Sequence, residues 1–323
     1  MKVLPATNTH VEAMAMLLAD GYRRLRIAGA RHVLADEATA RAAVEAAVAD
    51  GPGLVAVDGS DVIGFMVVPL PPRPGTTTAR LGMTHHAARP EDARLIYRGL
   101  YEAVADAVVK LGCTYHSLPI PVEHDAAVAA FFELEFGVDQ IDGILQIPEH
   151  VGQATSDGSV RPAEPADVDS IVELAIELAK YHARSPMFQV ALLDVRSIRQ
   201  GVEQSLSQPR SAVVVAESEG RVVAMAQAEP DRAFLDAFDI GMNVVTVEAR
   251  GSGIGTSMLD FLVRWGSDAG YRYCTVGWTS SNLDSDAFYR SRGFSPTRYR
   301  LHRRIDTRVA WANEHFDYTA FRR

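Results

Sequence analysis

The sequence predicts a mixed α/β protein made of two similar lobes in tandem. Three observations predict it. Short apolar or β-branched runs alternate with stretches of helical spacing along the chain. The same order of elements returns in the second half. A glycine-rich turn, Arg250-Gly251-Ser252-Gly253-Ile254-Gly255, joins a strand-like run to a helix in that second half alone. At 323 residues the chain is long for one compact unit and comfortable for two of about 150 each.

Taken in order, Lys2 to Ala6 reads as a short strand, followed by a helix with Val11, Met14, Leu17 and Leu18 on its apolar face. Asp36 to Ala49 is alanine-rich and helical, closed by Asp50-Gly51-Pro52-Gly53. Leu54 to Val57, the turn Asp58-Gly59-Ser60-Asp61 and Val62 to Val68 form a hairpin. Pro69 to Gly75 breaks the pattern, and Ala79 to Met83 reads as a further strand. Glu91 to Leu111 is a long helix, Cys113 to Leu118 a strand and Ala126 to Leu134 a helix. Pro148 to Ser159 is polar and without period, so it is expected as the linker.

After it the order repeats. Val160-Arg161-Pro162-Ala163 lies 157 residues beyond Val3-Leu4-Pro5-Ala6, and Val168 answers Val11. Ala212 to Ala216, Glu217-Ser218-Glu219-Gly220 and Val222 to Ala226 repeat the hairpin. Cys274-Thr275 echoes Cys113-Thr114, and Phe288-Tyr289 echoes Phe131-Phe132. The coincidences share one order and nearly one shift, which indicates a duplicated domain. The expected domains are residues 1–147, the linker 148–159, residues 160–305 and an extension 306–323. That extension carries Trp311, His315, Phe316, Tyr318 and Phe321, too aromatic for a loose tail. It is expected to pack on the protein body, across the lobe junction or on a partner subunit, a homodimer being one expected assembly.

Composition excludes several classes. Hydrophobic content of 47% with 23% charged residues is that of a globular protein with a real core. No apolar run reaches the length of about 18 residues that a membrane helix needs, and no apolar signal region follows Met1-Lys2, so a cytoplasmic protein without a membrane partner is expected. A formal charge of −9 argues against nucleic-acid binding and suits a cationic substrate such as an amine. Cys113 and Cys274 match no metal spacing. The His85-His86 pair lacks a carboxylate or Cys at the i+3 or i+4 spacing that would complete a metal site, and is read as surface. No metal is expected.

The glycine turn carries the chemistry. Met242 to Val247 before it reads as a strand, and Met258, Leu259, Leu262 and Trp265 after it fall at helical spacing. Three glycines bare backbone amides at a helix N-terminus, where unpaired N–H groups and the helix dipole favour an anion such as a diphosphate. A nucleotide P-loop is excluded because no Lys follows, and a dinucleotide fingerprint because Thr256 stands at its third glycine. A serine-hydrolase elbow fails on Arg250 and Ile254. In the first lobe the matching place, Ala88 to Arg94, has no glycine, one proline and two carboxylates, and Phe132 stands for Tyr289. That lobe is expected to be structural or to help shape the substrate cleft.

Downstream, Tyr273 to Trp278 reads as a strand, and the next helix carries Asn282-x-x-Ser285-x-x-Phe288-Tyr289-x-x-x-Gly293-Phe294. With Arg250, Gly253 and Gly255 in the earlier turn, the second half resembles the GNAT superfamily of N-acetyltransferases, which carries R/Q-x-x-G-x-G/A after its fourth strand and N-x-x-[AS]-x-x-[FL]-Y-x-x-x-G-F later. The resemblance covers Val160 to Ile305 and more faintly residues 3–147. It implies two tandem domains, the first degenerate, each a mostly antiparallel mixed sheet flanked by helices, with its fourth and fifth strands splayed apart. It implies acetyl-CoA as cofactor. Val245, Thr246 and Val247 would line its pantetheine arm, and the Val245 N–H would polarise the thioester carbonyl. Arg250, Gly251, Ser252, Gly253, Ile254, Gly255 and Thr256 would hold its diphosphate. Asn282, Ser285 and Phe288 would contact the arm, and Tyr289 would protonate the departing thiolate.

An amine attacks a thioester only as the free base, so a proton acceptor is needed. Asp239, just upstream of the bulge through which the resemblance implies that the fourth strand splays, is the candidate base, with Asp236 and Glu229 as neighbours and a water chain as the alternative. The expected function is direct transfer of an acetyl group to a primary amine of a small molecule. The alternatives are a non-catalytic acyl-CoA sensor and a protein N-terminal or lysine acetyltransferase.

Overall fold

The structure, a computed structural model, describes residues 1–25, 27, 29–69, 77–149, 159–190, 193–309 and 312. Most of the expected linker and nearly all of Pro69 to Gly75 lie outside the described residues, as do Trp311, His315, Phe316, Tyr318 and Phe321 of the aromatic extension. The described residues divide into two compact units. One lies within Met1–Arg26, Arg31–Ile141 and Thr297–Arg323, the other within Ile27–Ala30 and Asp142–Pro296. Among the described residues no helix is long and apolar enough to cross a membrane.

Unit 1 begins with β1 (Lys2–Pro5), α1 (Val11–Arg23) and α2 (Glu37–Asp50). Asp36 caps α2 by accepting from the Thr39 N–H at 2.8 Å, which places the helix start. The hairpin β2 (Gly53–Asp58) and β3 (Asp61–Val67) turns at Gly59, whose φ of 62° is the left-handed conformation the turn needs. Then come β4 (Thr78–Arg80), β5 (His86–Ala88), α3 (Ala93–Lys110), β6 (Tyr115–Pro121), α4 (Asp125–Glu133) and β7 (Gly137–Gln146). Strands β1, β2, β3 and β5 form one sheet in that order. Met14, Leu18, Val44 and Phe65 are buried between α1, α2 and that sheet, and Ile96, Leu100, Phe131 and Ile120 under α3 and α4.

Unit 2 runs through β8 (Val160–Pro162), α5 (Val168–His182), α6 (Val195–Ser207), β9 (Ala212–Ser218), β10 (Arg221–Pro230) and β11 (Ala237–Val245). It continues with α7 (Ile254–Asp268), β12 (Tyr273–Thr279), α8 (Leu283–Ser291) and the start of β13 (Ser295–Arg304). Its strands lie in the order β8-β9-β10-β11-β12, antiparallel except for the parallel β11–β12 pair. Ile171, Leu174, Val202, Val215, Met225 and Val244 pack α5 and α6 against one face.

The last strand of each half does not stay with its own half. Residues 142–146 of β7 belong to unit 2, where Ile147 N donates to Arg272 O at 2.9 Å and Gly143 backs onto Trp278. Residues Arg298 to Arg304 of β13 pair antiparallel with Pro121 to Tyr115 of β6 in unit 1, burying Leu301 completely. The boundary expected at the linker therefore falls inside unit 2. Strand pairing over so long a separation leaves no local mark in sequence.

The structure also fixes the register of the repeat. Gly112 and Gly270 end α3 and α7 with φ of 85° and 83°, and His124 and Asn282 hold the N-cap positions of α4 and α8. Glu135 and Gly293 both follow those helices at positive φ. Each pair is 158 residues apart. Two sequence echoes are corrected by this register. Tyr289 corresponds to the buried Phe131 and not to Phe132, which is 48% exposed. Cys274 corresponds to His116 and not to Cys113.

Candidate active site

The site in unit 2 starts from an irregularity in β11. Between Ala226 and Ala228 of β10 the pairing partner advances from Asn243 to Ile240, so β11 carries a bulge at Gly241-Met242. β12 pairs with β11 only from Ala237 to Ile240, and beyond the bulge Asn243 to Val245 follow β10 alone. The two central strands therefore part. Thr246 N donates to Val223 O at 2.9 Å, and antiparallel pairing alternates, so the backbone groups of Asn243 and Val245 face the open side. There Val245 O accepts from Arg250 Nε at 3.2 Å.

Two expectations about this strand are corrected. β11 begins at Ala237 and ends at Val245, where Met242 to Val247 was expected. Thr246 turns its N–H to β10, and Val247 opens a short 3-10 turn with half its surface exposed. The β-branched run Val244 to Val247 reads as strand because its residue types suit one, but the chain already bends toward the glycine loop.

In that loop Gly251 and Gly253 take φ of 77° and 91°, conformations that a side chain would strain. Ser252 closes the turn, its hydroxyl donating to Ala249 O at 2.7 Å. Helix α7 follows directly, and Ser257 N makes the first bond back, to Gly253 O at 3.0 Å. The N–H groups of Ile254, Gly255 and Thr256 consequently have no partner within the helix. No acidic residue stands in this first turn.

The third wall is α8. Asn282 is buried and caps it, accepting from Ser285 N at 3.2 Å. Tyr289 is 5% exposed, with Trp278 and Phe294 each 5.3 Å away between ring centroids. It lines the same cleft as Asn243. Burial pushes the phenol well above its ordinary pKa, Cys274 and Asp239 add to the rise, and the Asn243 amide opposes it. The group stays protonated through the neutral range.

These elements enclose a cleft of about 630 Å³. Asn243, Val245, Arg250, Gly251, Gly253, Gly255 and Thr256 line it from one side, and Asn282, Ser285, Phe288 and Tyr289 from the other. Thr246, Val247, Ser252 and Ile254 flank the cleft without lining it, and neither does Asp239. The Asp239 carboxylate accepts from Thr275 Oγ1 at 3.0 Å, and that hydroxyl also lies 2.5 Å from Asp231 Oδ2. Of its neighbours, Glu229 is bonded to Ser205 and Gln227, and Asp236 sits at a left-handed turn with φ of 57°. Sequence reasoning passed over Asn243, Tyr181 and Arg292, all of which line the cleft. Asn243 had a signal: it is the one amide side chain in the otherwise apolar or β-branched run Met242 to Val247.

Unit 1 fills the matching place with its own side chains. The repeat register puts Tyr97 where unit 2 has Gly255, and the β3–β5 pairing puts His86 where it has Asn243. Tyr97 is buried, packs on Phe131 with ring centroids 5.3 Å apart, and shares a hydrogen bond with His86 Nδ1 at 3.1 Å. His86, read as surface from sequence, is thus corrected to a core residue. Burial pushes its pKa down to about 3, so it is neutral. The neighbouring His85 stays half-buried and accepts from Gly82 N at 3.2 Å.

Residues 177–294, which contain the splayed strands, the glycine loop and α8, match the family described as acetyltransferase (GNAT). They form a GNAT acetyltransferase domain. Its fold recurs in solved structures along nearly the whole chain. A GCN5-related N-acetyltransferase from Sphaerobacter thermophilus is similar over 93% of this chain and 94% of its own, at 14% identity and a TM-score of 0.61. A GNAT-family acetyltransferase from Colwellia psychrerythraea is similar over 95% of this chain and all of its own, at 12% identity and a TM-score of 0.55. A tandem GNAT protein from the clavulanic acid biosynthesis pathway is similar over 94% and 98%, at 16% identity and a TM-score of 0.52. At such identities the likeness is one of fold. No curated protein matches the chain. Within the GNAT domain of unit 2, the glycine loop and the unpaired amides of α7 are chemically suited to a diphosphate, with two left-handed glycines, three free donors and no carboxylate in the first turn.

Proposed function

We propose that unit 2 takes acetyl-CoA as donor and passes its acetyl group directly to a primary amine of a small molecule. One observation carries this reading: the free amides of α7, the outward-facing backbone of Val245 and the buried phenol of Tyr289 converge on a single cleft. When bound, acetyl-CoA supplies an activated thioester. The remaining work falls to the chain. The amides between Arg250 and Thr256 hold the diphosphate and so set the depth of the arm. Val245 presents an N–H to the carbonyl oxygen as negative charge gathers there, a contact of a kind worth about 3 kcal/mol in the transition state. Its carbonyl, now engaged by Arg250 Nε, becomes available to the arm when that side chain moves. Tyr289, kept protonated by burial, gives its proton to the departing sulfur and regains one from water.

The amine arrives as the ammonium ion, loses a proton to water on binding and attacks as the free base. Asp239 receives that proton only by way of water, since its carboxylate lies beside Thr275 outside the cleft. The net negative charge of the chain favours a cationic acceptor reaching the mouth. Calorimetric titration with CoA and acetyl-CoA, joined to a thiol-release screen over small primary amines, tests the reading. Binding with thiol release on at least one amine is expected. Binding without release on any amine points instead to a non-catalytic acyl-CoA binder, and no binding removes the cofactor altogether.

A further inference from the structure

The cleft of unit 2 is deeper than an acetyl group needs. With the thioester carbonyl on the Val245 N–H, the acyl group starts opposite Ala224, the β10 partner of Val245. The arm enters from the glycine loop, beyond Val245 in the chain, so the acyl group leads the other way, toward Ile240. Ile240 still lines the cleft, and its β10 partner is Ala228. From Ala224 to Ala228 the strand rises about 13 Å. An acetyl methyl reaches one carbon–carbon bond past its carbonyl, about 1.5 Å.

The deep end is apolar. Ala226 and Ile240 line it from the sheet, and Met258, Leu259 and Leu262 from α7; all five are buried. Leu262 follows the helix start at Ile254 by two turns, about 12 Å, which matches the depth along the strand. Beyond Ile240, Phe238 packs on Gly266 of α7 so closely that a side chain there would collide with its ring, and the cleft stops. Asp239, next to Ile240, belongs to the opposite face of the sheet and does not line the cleft.

Unit 1 closes the same place. His86 pairs with Met66 as Asn243 pairs with Ala226, so Met66 stands for Ala226. In the repeat register Tyr101 stands for Leu259 and Val104 for Leu262. Met66, Tyr101 and Val104 line a void of only about 20 Å³. The lobe without a glycine cradle has filled its deep end with larger side chains, and the lobe with the cradle keeps it open.

We infer that the donor cleft takes a linear saturated acyl chain longer than acetyl, binding butyryl in preference to acetyl and selecting against a chain that ends in a carboxylate. This rests on the reading of the cleft as a CoA site. A hydrocarbon chain leaves water for apolar side chains, whereas the carboxylate of a succinyl group would be buried among them without a cation. The transfer itself is unchanged: the amine nitrogen bonds to the acyl carbon, the carbon–sulfur bond breaks, and the thiolate takes the Tyr289 proton.

The test is calorimetric titration of the full chain, without acceptor, with acetyl-CoA, butyryl-CoA and succinyl-CoA. Wild type is compared with Ala226→Met, which copies the side chain of Met66. Butyryl-CoA is expected to bind wild type about tenfold tighter than acetyl-CoA, the gain from burying two more methylenes, with succinyl-CoA no tighter than acetyl-CoA. Ala226→Met is expected to cut the butyryl advantage to about twofold or less. A butyryl gain below about threefold in wild type, succinyl-CoA binding tighter than acetyl-CoA, or an undiminished butyryl advantage in folded Ala226→Met overturns the assignment while leaving the CoA site standing. The wild-type comparison decides the matter even where Ala226→Met fails to fold. Failure of wild type to bind any of the three removes the CoA site and its deep end together.

Discussion

Replacing Tyr289 by Phe removes one oxygen and nothing else from the wall of the cleft. The ring contacts with Trp278 and Phe294, each at 5.3 Å, and the 5% exposure of the residue are kept. The residue lines the open cleft, where water replaces what the hydroxyl loses, so stability should fall by about 1 kcal/mol or less. For a unit of this size that lowers the melting temperature by roughly 2–4 °C. A positioned general acid is worth about 100-fold or more in rate, so kcat should drop by at least that factor. CoA affinity should change by no more than about threefold, because the phosphates are held elsewhere. The phenol pKa is raised, and the acid acts in its protonated form, so its contribution persists through neutral pH and fades only above the ordinary phenol value near 10. Thiol release followed from pH 6 to pH 10, with CoA titrated into both proteins, measures all of this. A kcat within threefold of wild type, or equal losses of kcat and CoA affinity, would refute the role.

Three further outcomes follow from the geometry. Gly253→Ala should cost about 1–2 kcal/mol, because φ is 91° there while nothing lies within 4 Å of a new Cβ, and CoA affinity should fall with it; Gly201→Ala inside α6 should instead raise the melting temperature. Fragments 1–149 and 159–323, made separately, should aggregate, since the first lacks β13 against β6 and the second lacks the β7 residues of unit 2, whereas co-expression should restore a soluble complex; a fragment that melts cooperatively alone near the wild-type temperature contradicts the exchange. Asp167, 7% exposed and bonded by Arg161 Nη1 and Nη2 at 2.7 and 2.9 Å, is held below the ordinary carboxylate pKa first by that guanidinium. Its stabilisation is present above about pH 4 and is lost as pH falls through the lower folded value, so Asp167→Asn should cost about 1–2 kcal/mol at pH 7 and flatten the acid side of the stability curve measured by urea melts.

What could be read in advance followed from local chemistry. Glycines at forced left-handed positions, the Asn282 and Gly293 ends of α8 and the apolar stripe of α7 each act within a few residues, so the loop and its helices were legible. β11 was half-legible: Asp239 and Gly241 interrupt its apolar pattern where the bulge occurs, and the strand-like residues Thr246 and Val247 lie past its end. The strand exchange was not legible, because β7 and β13 are polar sequences, with Asp139, Gln140 and Asp142 in one and four arginines in the other, whose partners lie far along the chain. His86 was misplaced by equating polarity with exposure, when a tyrosine hydroxyl satisfies one of its ring nitrogens in the core. Arg292 sat unremarked among the three variable positions between Tyr289 and Gly293. Its aim across to Thr256 is a tertiary fact.

The central claim is that the amides at the start of α7 grip the phosphates of a thiol-bearing carrier and so direct its sulfur to Tyr289. A crystal structure of the full chain grown with CoA tests it most directly. The account predicts the diphosphate on the N–H groups of Ile254, Gly255 and Thr256, the arm beside Val245, and the sulfur within hydrogen-bond reach of the Tyr289 hydroxyl. CoA bound elsewhere, or bound here with its thiol turned away from that hydroxyl, would contradict it.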